Sequence, residues 1–399
     1  YNARDAAIYL ATLHKSTVLL GSATPSLETY FNTQIGKYGY VSLNERYLNT
    51  PMPKIQIANM KEEYINKTNY SIFSSLLFDN INQALNNHKQ VILFKNQRGY
   101  ASNIRCEVCG WVAKCPNCDV SLTYHKHLQT LNCHYCGLNL PLYNECPECH
   151  SHSLIQSGNG SEKIEEETLR FFPNARVKRM DLDTTRKKND YLEIIQDFEK
   201  GNIDILCGTQ IITKGLDFSN VGLVGVIDAD SLLYYPDFRA YERCFDLLTQ
   251  VAGRAGRLKE KGRVVIQSFN PNHQIFNEVL NYNYASMYKN QIVERKLFSY
   301  PPFVYLTKIL FQSKDKEVLD TLCQEYSNEI RKIFGQRILG PEYPPIYRIK
   351  GMYQKQFILK LEKNVSYTQA KKLIMQLNEE ILSKREYKQT RVIVDVDPF

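Results

Sequence analysis

No run of apolar residues in this chain approaches the ~18 to 20 positions that a membrane-crossing helix needs, and no basic segment followed by an apolar stretch opens it. A membrane span and a secretory leader are therefore not expected, and a cytoplasmic protein is the default. There is no low-complexity tract and no internal repeat apart from a set of cysteine knuckles, which argues against solenoids and long disordered linkers. Position 1 is Tyr1 and not a methionine, and Tyr1-Asn2-Ala3-Arg4-Asp5 runs straight into a helical pattern. The sequence is expected to begin inside a domain of a longer protein.

What is present is ample for several cores: 399 residues, 43% of them hydrophobic and 23% charged. Short, almost wholly apolar runs at Val18–Leu20, Val91–Phe94, Val177–Met180, Ile203–Cys207, Leu223–Asp228 and Val264–Phe269 read as buried strands. They alternate with helical patterns over 3–14, 72–88, from Ser161 onward, 190–200 and 238–250. This predicts a parallel sheet with helices on both faces, in an α/β fold. The stretch up to about residue 70 reads as irregular. From Tyr300-Pro301-Pro302-Phe303 a small α+β unit begins, with strands at Val304–Phe311, Phe357–Leu361 and Arg391–Val396. The net charge of +8 is concentrated near the end, where fourteen Lys and Arg face seven Asp and Glu from Arg331 onward. A polyanionic partner or a solvated basic face both account for that excess.

Eight of the eleven cysteines form four C-x-x-C pairs between Cys106 and Cys149. Disulfide frameworks belong to small secreted chains, so metal is the expected use here. A C-x-x-C turn brings two thiolates to one ion, and zinc takes four ligands tetrahedrally, which makes two closed sites. Cys115, Cys118, Cys133 and Cys136 have zinc-ribbon spacing and are expected to share one ion. Cys106, Cys109, Cys146 and Cys149 then hold the second in a nested arrangement, the alternative being sequential pairing with Cys109 and Cys115 on one ion. Gly110 and Gly137 supply the conformational freedom such knuckles need. His125, His127 and His134 lie nearby, but eight thiolates already complete both shells. With no position open for water, both ions are expected to be structural. Trp111, Tyr124, Tyr135 and Tyr143, beside Lys114 and Lys126, either stack on bases or form the module's own core. Cys207, Cys244 and Cys323 stand alone and read as buried small side chains.

Four further strings carry chemistry. In Gln250-Val251-Ala252-Gly253-Arg254-Ala255-Gly256-Arg257 two arginines leave a helix end at i and i+3, a fork suited to a γ-phosphate on a facing lobe. Gly208-Thr209-Gln210-Ile211-Ile212-Thr213-Lys214-Gly215-Leu216-Asp217-Phe218 follows a strand and offers a hydroxyl, amides and an ammonium to a DNA backbone. Gly21-Ser22-Ala23-Thr24-Pro25 holds hydroxyls able to relay between nucleotide and DNA, and Phe94-Lys95-Asn96-Gln97-Arg98-Gly99 follows another strand in the same manner.

In this order the four strings resemble the later motifs of superfamily 2 helicases, and with the eight-cysteine insertion the chain resembles the primosomal replication-restart helicases. Asp181-Leu182-Asp183-Thr184-Thr185 and the closing Asp395-Val396-Asp397-Pro398 are similar as well. The resemblance implies a remnant of helicase lobe 1 and a connection over 1–70, a RecA-like lobe 2 over 71–100 and 153–295, a zinc insertion over 101–152, and a DNA-binding domain over 296–399. It implies an ATP-driven 3′-to-5′ DNA helicase acting at stalled forks, with Arg254 and Arg257 as arginine fingers. Gln250 belongs to the same string, and Ser22, Thr24, Arg98, Thr209, Lys214 and Asp217 would meet DNA or couple it to the nucleotide. ATP and Mg²⁺ would be cofactors besides the two zinc ions, and forks, single-stranded DNA, primosome proteins and single-strand-binding proteins would be partners. The sequence has no G-x-x-x-x-G-K-[ST] loop and no D-E-x-H string, so by itself it is expected not to hydrolyse ATP. A rival reading from another class is a non-enzymatic zinc-ribbon nucleic-acid binder, which leaves Gly253-Arg254-Ala255-Gly256-Arg257 unexplained.

Overall fold

The structure is a computed structural model that describes residues 2–43, 52–95, 103–125, 129–156, 161–181, 188–209, 218, 220–255 and 262–398. At its centre is a six-stranded sheet in the order Lys54–Asn59, Arg263–Ser268, Val221–Val226, Gln90–Phe94, Ile205–Gly208, Val177–Met180, parallel throughout. Its inner strands are apolar at nearly every position because successive side chains leave on opposite faces and both faces are covered. Ile92, Phe94, Val224, Val226, Val264 and Ile266 enter one core. Val91, Leu93, Leu223, Val265, Ile205 and Cys207 enter the other. Helices Lys188–Glu199, Ala240–Ala252, Gln274–Leu280 and Tyr284–Leu297 cover the first face, and Ser75–Asn86 and Ser161–Phe171 the second.

Two expectations fail. Val18–Leu20 is not a buried strand: it pairs with no strand among the described residues, and Leu19 is 96% exposed. Three apolar residues bury nothing without a sheet to enter. The stretch before residue 70, in turn, is not irregular. Lys54–Asn59 is the edge strand beside Arg263–Ser268, and Asn59 caps the helix Met60–Asn66 by accepting from the Glu62 amide. An edge strand is covered less fully than an inner one, so Lys54, Gln56 and Asn59 dilute the apolar signal that the inner strands display.

The cysteine segment leaves the sheet after Gln90–Phe94 and returns before the helix Ser161–Phe171. Its base is closed by antiparallel pairing of Ile104–Cys106 with Leu154–Gln156, and its body is a three-stranded sheet of Thr123–His125, Thr130–Asn132 and Asn139–Pro141. The last unit is an antiparallel sheet ordered Ile338–Glu342, Met352–Glu362, Val304–Ser313, Arg391–Val396. Helices Lys316–Phe334 and Tyr367–Leu382 pack on one of its faces. From its other side Leu306, Leu339 and Ile358 join Cys115, Cys118, Cys133, Phe238 and Tyr300 in one cluster. The cysteine module is thus wedged between the parallel sheet's helices and the last unit.

Candidate functional site

Four knuckles of one design hold the eight thiols. In each, the first cysteine's amide donates to a carbonyl just beyond the knuckle: Cys106 to Trp111 and Cys115 to Val120 at 2.8 Å, Cys133 to Leu138 and Cys146 to Ser151 at 2.8 Å. The residue after the second cysteine is left-handed in all four: Gly110, Asp119, Gly137 and His150 have φ of 78, 51, 82 and 57°. Sequence reasoning found only the two glycines. Asp119 and His150 belong to types that tolerate this region better than most, so no glycine marks their knuckles.

The sulfurs gather into two nested sets, Cys106 with Cys109, Cys146 and Cys149, and Cys115 with Cys118, Cys133 and Cys136, the atoms of each set lying within 4.8 Å of one another. Cys106 and Cys149 are 3.6 Å apart, Cys109 and Cys146 3.4 Å, and Cys115 and Cys136 3.6 Å. Zn–S bonds of about 2.3 Å at tetrahedral angles need S···S separations of roughly 3.8 Å, so four soft donors at this spacing fit zinc with slight relaxation. His125 and His134 stand outside both sets. Their rings are 5.3 Å apart, His134 Nδ1 lies 2.5 Å from the Tyr343 carbonyl, and burial pushes the His134 imidazole down to about 4, keeping it neutral. His127 and Lys126 lie outside the described residues.

The aromatics of the module form core. Trp111 meets Tyr143 edge-on at 5.3 Å, and Tyr124 and Tyr135 pack in the same cluster. Two anchors tie the module to its neighbours, and neither carries a sequence signal. Arg105, beside Cys106, lies 3.7 Å over the Phe269 ring and 3.8 and 4.0 Å from Asp230 and Asp228, just past the C-terminal ends of two sheet strands. Burial, together with the charge of Asp228, pushes the Asp230 carboxyl up to about 6. On the opposite side the Tyr300 hydroxyl donates to the Cys118 carbonyl at 2.8 Å while its ring stacks on Phe238 at 4.3 Å, and Gln356 donates to the His134 carbonyl at 2.9 Å.

Of the residues singled out in the four strings, Gln250 is exposed in the last turn of Ala240–Ala252, Arg254 follows it half-buried beyond Gly253, and Thr209 follows the strand Ile205–Gly208. Arg98, Lys214, Asp217 and Arg257 lie outside the described residues. Ser22 accepts from the Thr24 amide at 3.1 Å, and the buried Thr24 lies beside Asp246, one turn before Gln250. The structure therefore brings the Ser22–Thr24 string to the helix Ala240–Ala252, which Arg254 follows. Burial and the charge of Glu242 push the Asp246 carboxyl up to about 8. An ion network that the sequence did not announce reinforces the contact. Glu28 meets Arg239 at 2.6 Å and Arg295 at 2.7 Å, Arg295 meets Glu242 at 2.5 Å, and Glu242 accepts from the Leu27 amide at 2.8 Å. Burial alone pushes the Glu28 carboxyl up, but the guanidiniums of Arg239 and Arg295 outweigh it and hold it at about 2.

Comparison with known proteins matches three family models: the PriA DNA helicase Cys-rich region domain over residues 115–141, the helicase conserved C-terminal domain over 150–259, and the primosomal protein N C-terminal domain over 296–399. The chain is 39% identical to the replication restart protein PriA of Bacillus subtilis, covering 100% of this chain and 49% of that protein. It is 35% identical to the protein of the same name from Haemophilus influenzae, covering 100% and 54%. The chain spans about half the length of these relatives. Among solved structures, Saccharomyces cerevisiae Dbp5 bound to RNA and ADP BeF3 is 12% identical, with 74% of this chain and 59% of that one covered and a TM-score of 0.36.

Proposed function

We propose, for a chain that belongs to the PriA family, that it forms the second motor lobe, the zinc-binding insertion and the DNA-binding C-terminal unit of an ATP-driven 3′-to-5′ DNA helicase that restarts replication at stalled forks. The observation that carries this reading is the helix Ala240–Ala252, which precedes Arg254 by two residues and, through Glu242, accepts from the Leu27 amide just after the Ser22–Thr24 string at 2.8 Å. A nucleotide sensor and a string able to relay to DNA thereby share one rigid element. Arg254 and Arg257 would meet the γ-phosphate, with Gln250 one turn earlier. Ser22, Thr24, Arg98, Thr209, Lys214 and Asp217 would contact DNA or relay its presence. The phosphate-cradling loop and the Mg²⁺-binding carboxylates are not in these 399 residues, so the chain alone would not turn over ATP. Each set of four thiolates would hold one zinc ion, which supplies cross-linking and no chemistry. Domain limits follow at 1–70, 71–100 with 153–295, 101–152 and 296–399. Forks and single-stranded DNA would be bound in a cytoplasmic setting, alongside primosome and single-strand-binding proteins.

The test is Arg257→Ala in a full-length protein that carries this chain. A finger arginine meets charge that develops in phosphoryl transfer, and losing one typically costs about 10³ to 10⁵ in rate. DNA affinity comes from many phosphate contacts. Hydrolysis and unwinding should be abolished while fork affinity and melting temperature hold. A joint fall in all of these would mean that the arginines only pin the helix end.

A further inference from the structure

The two thiol sets stand in unlike surroundings. Cys115, Cys118 and Cys133 are at most 2% exposed and lie inside the cluster shared with Phe238, Tyr300 and Ile358. Lys360 is held beside them: its ammonium sits 3.9 Å over the Tyr300 ring, donates to the Phe298 carbonyl at 2.8 Å, and faces Cys118, Cys133 and Cys136. Four thiolates on one divalent ion leave a double negative charge, and a fixed cation nearby offsets it and makes the sulfurs less nucleophilic. Of this inner set only Cys136 is partly exposed.

The outer set belongs to none of the hydrophobic clusters of the described residues. Cys106 and Cys146 are fully buried, but two of its thiols, Cys109 and Cys149, are partly exposed against one in the inner set, and the knuckle residues Glu145, Glu148 and His150 are open to solvent. Glu145 and Glu148 add negative charge and offset none. Arg105, the nearest base in sequence, is committed to Asp228, Asp230 and Phe269.

We propose, resting on the zinc reading above, that the outer set is a thiol-modification and metal-exchange site for small soft electrophiles, while the inner set is a permanent clamp. The electrophile class is an α,β-unsaturated carbonyl. A thiolate sulfur forms a C–S bond at the β-carbon, the C=C π pair moves onto the carbonyl as an enolate, and a proton from water completes the thioether. The alkylated sulfur would be a poorer ligand, so Cys106, Cys109, Cys146 and Cys149 would no longer retain zinc. The inner set, held by Tyr300 and Gln356, stays joined to the C-terminal unit.

The experiment treats the zinc-loaded 399-residue chain with N-ethylmaleimide, follows zinc release with a chromophoric chelator, and locates the label by peptide mass spectrometry. The expected result is two phases. About one equivalent of zinc leaves first, with label on Cys109 and Cys149 and then on Cys106 and Cys146, at least about tenfold faster than on Cys115, Cys118 and Cys133. Single-phase release with label spread evenly, or appearing first on the inner set, overturns the proposal and leaves the zinc assignment standing. A protein that holds no zinc and labels at all eight cysteines together overturns the zinc assignment and the proposal with it.

Discussion

Arg295→Met is the sharpest test of how the segment after Thr24 is fixed to the helix Ala240–Ala252. Arg295 is 1% exposed and donates to Glu28 at 2.7 Å, to Glu242 at 2.5 Å and to the Pro301 carbonyl at 3.1 Å. Methionine retains much of the volume, so the cost is electrostatic and not that of a cavity. The two carboxylates are not left equally exposed by the change. Glu28 keeps Arg239 at 2.6 Å, whereas Glu242 keeps that guanidinium only at 3.6 Å, with the Leu27 amide as its other partner. Glu242 is therefore the uncompensated charge. Breaking a buried pair by removing one partner costs about 3 to 5 kcal/mol, and the surviving Arg239 places this case near the lower end. At roughly 2 to 4 °C per kcal/mol, the melting temperature should fall by roughly 6 to 12 °C. Glu242→Gln in the same background removes the stranded charge and should recover part of the loss, a coupling of about 1 to 3 kcal/mol in a double-mutant cycle. The network should also lose strength in acid. Because the Glu28 carboxyl is held down at about 2, its contribution is complete above the ordinary carboxylate range and disappears as pH falls toward 2. A drop of less than about 1 kcal/mol for Arg295→Met, or additivity in the cycle, would refute the reasoning.

Asp246 titrates in the opposite sense. Its carboxyl is pushed up to about 8 by burial and by Glu242, so its ionisation costs stability progressively as pH rises from the ordinary carboxylate range toward 8. Asp246→Asn should raise the melting temperature most at pH 8 and flatten its dependence between about pH 4 and 8, measured by thermal unfolding across that range. Tyr300→Phe removes the 2.8 Å hydrogen bond to the Cys118 carbonyl and keeps the ring stack. It should cost about 1 kcal/mol in a denaturant titration and leave zinc content unchanged. Cys133→Ser removes a fully buried thiol of the inner set. Since a structural zinc supplies on the order of 10 kcal/mol, the module should unfold, with metal analysis falling from two ions per chain to one or none.

The parallel sheet and the cysteine pairs were legible because local rules speak loudly there. An inner parallel strand is apolar on both faces, and C-x-x-C knuckles impose a spacing that few other tasks need. The edge strand Lys54–Asn59 was missed because its pattern is diluted by polar residues that an edge permits. Val18–Leu20 was misjudged for the converse reason: an apolar run states a preference for burial, not the presence of a partner.

By itself the sequence determined the two covered faces of the sheet, the four knuckles and the string that ends in Arg254 and Arg257, since each is encoded within a few consecutive positions. Only the tertiary structure decided the nesting of the two thiol sets, because the choice depends on how the knuckles fold back on one another. It also decided which face of the module is buried. Arg105 reaches Asp230, Tyr300 reaches Cys118, Glu28 meets Arg239, and Arg295 bridges Glu28 and Glu242 across long stretches of chain. No local pattern marks such residues, because an arginine bound for a buried carboxylate looks in sequence like any arginine on a surface, and the desolvation that makes the contact matter exists only once the units have packed.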